Sequence, residues 1–167
     1  GSGIQCPGTP FALNLPPDMP LRGLAFDFDS TLTSPIYLQR ARKWAVSDEP
    51  ALFESMSTAE RLANFGGAER VSQLVELLRA LTASGVSLFV VSTGHAAAIE
   101  PHLRTAGLLG SFEAVYGRDS AELQAAGMVK AALIERAIMR PRGWRHSDVL
   151  LVDDAEEHIA AARATCR

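Results

Sequence analysis

The chain has 167 residues, of which 47% are hydrophobic and 21% charged, with a formal net charge of -3 at neutral pH. That is the length of one domain with room for a real core, and the mild acidity carries no footprint of a nucleic-acid or membrane-surface binder. No run approaches the ~20 apolar residues of a membrane span, and two cysteines near opposite ends, Cys6 and Cys166, make neither a metal cluster nor a disulfide framework, so a reduced, cytoplasmic compartment is expected.

In chain order, Gly1-Ser2-Gly3 reads as a cloning scar, and no secretory signal is visible. Residues 4–21 hold five prolines without a period, so residues 1–21 read as an extended arm. Gly23-Leu24-Ala25-Phe26 opens a buried strand over about 23–29. Residues 34–66 form a short helical insertion: Pro35 can start one helix, Asp48-Glu49-Pro50 another, and Ser57-Thr58-Ala59-Glu60 is a capping-box pattern. Gly66-Gly67 punctuates its end. Val71, Leu74, Val75, Leu78 and Leu81 then line one apolar helix face that stops near Gly85. A second strand covers about 86–91, and Pro101 is placed to open a short helix at its first turn. Phe112–Tyr116 is a third strand, a helix runs roughly 122–139 and ends at Pro141, and 148–152 is a fourth strand followed by a helix over 155–164. This alternation predicts an α/β domain with an open parallel sheet flanked by helices over residues 22–167.

Carboxylates gather at the predicted strand ends. Asp27 and Asp29 follow the first strand, and Asp153-Asp154 follow the fourth run, Val149–Val152. On an extended chain, residues i and i+2 point the same way, and open α/β sheets bind ligands at the carboxyl ends of their strands. The second strand ends in Ser92-Thr93-Gly94-His95, which offers hydroxyls and backbone N–H groups suited to an anion. Lys130 precedes the second acidic pair. Acids that would repel one another, a hydroxyl and one ammonium together describe a site for phosphate plus Mg²⁺.

In that order the segments DFDSTLT, VVSTG, Lys130 and LLVDD resemble the haloacid dehalogenase superfamily of phosphohydrolases, from about residue 22 to the end. The resemblance implies a Rossmann-like core of small-cap or capless type. It implies Asp27 as the nucleophile that becomes an aspartyl-phosphate and Asp29 as general acid/base. Ser92, with Thr93 and Gly94, would hold the phosphoryl oxygens, and Lys130 would neutralise phosphate and nucleophile charge. Asp154, with Asp153 beside it, would anchor Mg²⁺ together with Asp27 and the backbone carbonyl of Asp29. Ser30 stands where many members have Gly, as in the phosphoserine phosphatases of the superfamily. His158 stands where the family pattern has Asn. The chain ends at Cys166-Arg167, where a last strand normally begins, which reads as a trimmed domain.

The chemistry also follows without the family. A phosphate monoester is dianionic, so an anionic nucleophile needs a cation to approach it. A carboxylate nucleophile splits hydrolysis into two steps, and a second carboxyl two residues away can protonate the leaving alkoxide and later activate water. Such a proton donor argues against dehalogenation, because a halide leaves without a proton. A non-catalytic module that binds a phosphorylated ligand or protein partner is the alternative. His95 and Arg118 are expected at the mouth of the site, His158 near the metal, and His102 and His146 on the surface. Trp44 is expected to pack within the insertion. Residues 34–66 are short for a full cap, which leaves the substrate open between a macromolecule in an exposed cleft and a small metabolite. A homodimer is one option for the oligomeric state.

Overall fold

The computed structural model describes residues 21–43, 45 and 48–167. The predicted arm over 1–20, with Cys6, and the packing role of Trp44 lie outside the described residues.

Among the described residues, four short strands form one parallel sheet: β1 (Gly23–Phe26), β2 (Ser87–Val91), β3 (Ala114–Tyr116) and β4 (Val149–Val152), in the spatial order β3-β2-β1-β4. β1 is therefore central, and its near-continuous apolar composition is what a strand covered on both faces requires. The register places Phe26 level with Val90 on one side and Val152 on the other. Asp27 and Asp153 thus leave adjacent strands on the same rung, and Ser92 leaves β2 one residue further on. The Asp27 N–H donates to the Val152 carbonyl at 2.8 Å, extending the ladder one residue past β1.

Two apolar layers sandwich the sheet. Leu24, Phe26, Leu88 and Val90 face a core completed by α4 (Ala68–Ala83), α5 (Ala96–Thr105) and the insertion. Ala25, Phe89, Val91, Val149 and Leu151 face the other, built from α6 (Ala121–Ala125), α7 (Lys130–Leu133), a π-helical stretch Ile134–Met139, α8 (Arg140–Arg142) and α9 (Glu156–Ala162). Gly23 is required by close approach: a Cβ there would come 2.5 Å from a Trp144 ring carbon. The insertion holds α1 (Pro35–Ala41), α2 (Glu49–Ser55) and α3 (Thr58–Asn64). The capping box forms, with the Glu60 N–H donating to Ser57 Oγ and the Ser57 N–H to Glu60 Oε2. Among the described residues no helix is long and apolar enough to cross a membrane.

Several boundaries differ from expectation. The first strand ends at Phe26 rather than 29, because the chain turns sharply at Asp29-Ser30 and Ser30 takes a positive φ of 58°. Pro101 lies inside α5 instead of opening it; the helix starts five residues earlier because a distant carboxylate, Asp119, satisfies its first N–H groups. The predicted helix over 122–139 is interrupted: Gly127 and Met128 both adopt positive φ, and Lys130 begins a new helix. Pro141 does not end that helix either. It sits in the first turn of α8, after the wider π-helical turns, and Gly143 in the left-handed conformation ends the element.

Candidate active site

Lys130 is the electrostatic centre of the carboxyl edge. Its Nζ donates to Asp27 Oδ1 and to Asp153 Oδ2, each at 2.6 Å, although only 3% of the residue is exposed. The break at Gly127-Met128 makes this reach geometrically available, because it starts α7 at Lys130 instead of running a helix past the site. Asp27 is buried at the end of β1, and the Asp153 carboxylate is fully covered. Burial pushes the Asp27 carboxyl above its ordinary range, and the Lys130 ammonium draws it only part of the way back. Burial also pushes Asp153 upward, but hydrogen bonds from Lys130 and from the Ala155 N–H outweigh it and leave that carboxyl below the usual range. His158 Nδ1 lies 3.1 Å from both Asp153 oxygens, so this histidine supports an acidic residue of the site from the helix behind it.

Asp27, Asp153 and Asp154 each bring a carboxylate oxygen to within 4.8 Å of the others. Three carboxylates face one ammonium, so the pocket keeps an excess of negative charge when all are ionised. An all-oxygen donor set of this kind fits a hard divalent cation. The Asp29 carboxylate is outside that cluster; the role implied for Asp29 in holding metal uses its backbone carbonyl instead. Asp29 stands at the turn after Asp27, with one carboxylate oxygen buried.

Ser92, Thr93 and Gly94 leave the neighbouring strand. Ser92 is fully buried, and its N–H donates to the Tyr116 carbonyl at 2.9 Å. The Gly94 N–H donates to Ser92 Oγ at 3.0 Å, which still leaves that hydroxyl its own hydrogen to give. His95 occupies the N-cap position of α5 and is half-buried. Arg118 is on this edge, but its Nε donates to the Thr93 carbonyl at 2.8 Å. The Asp119 carboxylate accepts from the Ala96 and Ala97 N–H groups at 2.7 and 3.2 Å, so a protein anion already occupies the start of α5. Burial raises Asp119, yet those two bonds prevail and hold its carboxyl below the usual range.

The expectation for His102 is overturned. It is fully buried, ringed by Phe28, Tyr37, Phe53 and Phe65 with ring centroids 4.3–6.4 Å away. Its Nδ1 lies 2.9 Å from the Ala98 carbonyl, which can only accept, so Nδ1 carries the proton and Nε2 accepts from Asn64 Nδ2 at 3.1 Å. Burial lowers its pKa to about 4. Residues of α1, α2 and α3 thereby meet α5 and Phe28, the neighbour of Asp27. Sequence reasoning also missed Arg70, whose guanidinium donates to the carbonyls of Thr31, Leu32 and Phe65 at 2.6–3.0 Å. Its single polar position on a helix gave no signal of that role. His146 is exposed, as expected, with Nε2 2.9 Å from the Arg163 carbonyl.

A family model described as "Hydrolase: haloacid dehalogenase-like hydrolase" matches residues 38–165. The chain belongs to that family. Solved structures share its fold: a predicted phosphatase from Clostridium acetobutylicum is 17% identical, with 87% of this chain and 82% of that one covered and a TM-score of 0.56. A haloacid dehalogenase-like family hydrolase from Streptococcus pneumoniae is 17% identical over 87% and 81% of the two chains, with a TM-score of 0.55. An L-2-haloacid dehalogenase is likewise 17% identical over 87% and 83%, with a TM-score of 0.52. No curated protein matches the sequence.

Proposed function

We propose that this hydrolase is a Mg²⁺-dependent phosphomonoesterase working through an aspartyl-phosphate. The observation that carries the reading is Lys130 bridging Asp27 and Asp153 inside a three-carboxylate cluster. One ammonium leaves that cluster anionic, and a dianionic substrate adds to the excess, so a divalent cation is needed for nucleophile and phosphate to meet. Asp27, Asp153 and Asp154 would hold the cation, with the Asp29 carbonyl. When bound, it screens the charge between nucleophile and phosphoryl group.

In this reading Asp27 attacks phosphorus and the P–O bond to the leaving group breaks. Lys130 keeps Asp27 ionised and aimed despite its burial. Ser92 donates its hydroxyl hydrogen to a phosphoryl oxygen, and the Thr93-Gly94 segment completes the anion cradle. Asp29 gives its proton to the departing alkoxide, then takes one from the water that releases phosphate. That proton donor separates phosphate release from dehalogenation, a chemistry also found on this fold. The substrate is a phosphorylated metabolite or macromolecule selected by residues 34–66.

The test is a panel of phosphorylated compounds and phosphopeptides, together with 2-haloacids, assayed with chelator and after adding back Mg²⁺. Phosphate release that vanishes with chelator and returns with Mg²⁺ is expected. Halide release without phosphate release would refute the reading, as would full activity in chelator.

A further inference from the structure

The segment Gly117-Arg118-Asp119, directly after β3, holds the Thr93–Ala97 backbone at four polar points. The Arg118 N–H donates to the Gly94 carbonyl at 2.8 Å, and Arg118 Nε donates to the Thr93 carbonyl at 2.8 Å. Asp119 accepts from Ala96 and Ala97. Gly117 lies so close that a Cβ there would be 2.2 Å from the Ala96 nitrogen and 2.8 Å from the Gly94 oxygen. This is close approach, not a turn requirement, and every side chain other than hydrogen would force the two loops apart.

The consequence for an anion site is geometric. A loop that binds phosphate must turn N–H groups toward the anion and carbonyl oxygens away from it. In a trans peptide plane the C=O and the following N–H point in opposite directions. Fixing the Thr93 and Gly94 carbonyls on Arg118 therefore fixes the N–H groups of Gly94 and His95 on the opposite side. The Gly94 N–H is then found on Ser92 Oγ, orienting the hydroxyl assigned to the phosphate. Asp119 adds a second effect. The start of α5 would attract an anion by its exposed N–H groups. A carboxylate already bonded to two of them denies that place to substrate.

We propose that Arg118 and Asp119 are positioning residues that set the phosphate-binding conformation of Ser92-Thr93-Gly94 and keep phosphate off the α5 N-terminus. The proposal rests on the phosphomonoesterase reading of the same site. Neither residue touches the reacting atoms; each acts through the backbone of the neighbouring loop.

The experiment compares Arg118→Ala, Arg118→Lys, Asp119→Ala and Asp119→Asn with the wild-type chain in Mg²⁺. It reads KM and kcat on a phosphomonoester, and inorganic phosphate binding by competitive inhibition and calorimetry. Losing a charged hydrogen bond that orders the loop predicts roughly tenfold weaker competitive inhibition by phosphate, and a matching rise in KM, for both alanine variants, while Asp119→Ala alone should show a second, non-competitive phosphate site in calorimetry. Turnover at saturation should stay within about threefold, since the reacting groups are untouched. Arg118→Lys, whose ammonium can still reach the Thr93 carbonyl, should recover most of the affinity. Asp119→Asn keeps one acceptor oxygen and should fall between. A merely structural role would lower the active fraction, reducing kcat at constant KM and constant phosphate affinity; that pattern overturns the inference, as does wild-type phosphate affinity in both alanine variants. In either case wild-type turnover leaves the phosphomonoesterase reading standing. A wild-type chain that neither turns over nor binds phosphate overturns both.

Discussion

The carboxyl edge of the sheet and the seam beneath the insertion both bury a basic side chain, and they treat it in opposite ways. Lys130 sits between two carboxylates at 2.6 Å and is stabilised as a cation where little water reaches. His102 sits among four aromatic rings with one carbonyl and one amide, and is held neutral. Removing charge from water is costly unless a partner compensates it, so the surroundings rather than the side chain decide which fate follows. Charge is retained where carboxylates compensate it. In the seam the same kind of burial joins α5 to the insertion through a neutral imidazole.

The sharpest contrast is between activity and fold at the charged end. Asp27→Asn should reduce phosphate release by on the order of 10⁴-fold or more while the chain stays folded, because in the proposed mechanism it removes the nucleophile and one carboxylate of the cation site but keeps the side chain's shape. Asp29→Asn should lose ~10²–10⁴-fold, more on an alkyl phosphate than on an activated aryl phosphate whose leaving group needs little protonation. Single-turnover kinetics on both substrates check this, and equal loss on the two would break the division of roles.

Lys130→Met should turn the charged site into a liability. Two buried carboxylates lose their shared cation, a change typically worth about 3–5 kcal/mol of stability at neutral pH. Without the ammonium the Asp27 carboxyl, already above its ordinary range, rises further, and Asp153 loses a main cause of its lowering. The penalty is therefore present above those raised values and relieved as pH falls through them. Denaturant melts at neutral and mildly acidic pH should show the deficit shrinking; a deficit that grows with acidity would contradict the assignment.

The neutral seam should respond to pH in the opposite sense. The folded-state pKa of His102 is lowered to about 4 from an ordinary value of 6.5. Its contribution is thus fully present above 6.5 and is lost as pH falls toward 4, a span worth about 3 kcal/mol. His102→Phe should flatten the wild-type stability profile across that window. A variant that keeps the full slope would show that another group carries it. The smallest effect belongs to the rim of the insertion: Ser57→Ala removes one half of the capping box and should lower the melting midpoint by about 2–4 °C. Its turnover of a generic aryl phosphate should stay at the wild-type level.

Local chemistry made much of this protein legible. Apolar runs marked four strands, two of them ending in acids, because parallel strands covered on both faces leave little room for polar residues. The periodic face of α4 and the Ser57 capping box depend on near neighbours, and both stand as read. Asp27 and Asp153 carry a local signature, since each lies at a strand's end, whereas Lys130 reads as mid-helix until the break at Gly127-Met128 makes it the first residue of α7. Tertiary structure decided the rest. Nothing near Asp119 in sequence reveals that its carboxylate caps α5, because its partners are 22 and 23 residues away. His102 reads as a polar residue in a short helix until Phe28, Tyr37, Phe53 and Phe65 close around it. Arg70 reads as a solvated helix position until Thr31 and Leu32, 39 and 38 residues earlier, present their carbonyls to it. Periodicity and element ends are written in consecutive residues, whereas burial, capping from a distance and the choice between charged and neutral depend on what the folded chain brings alongside.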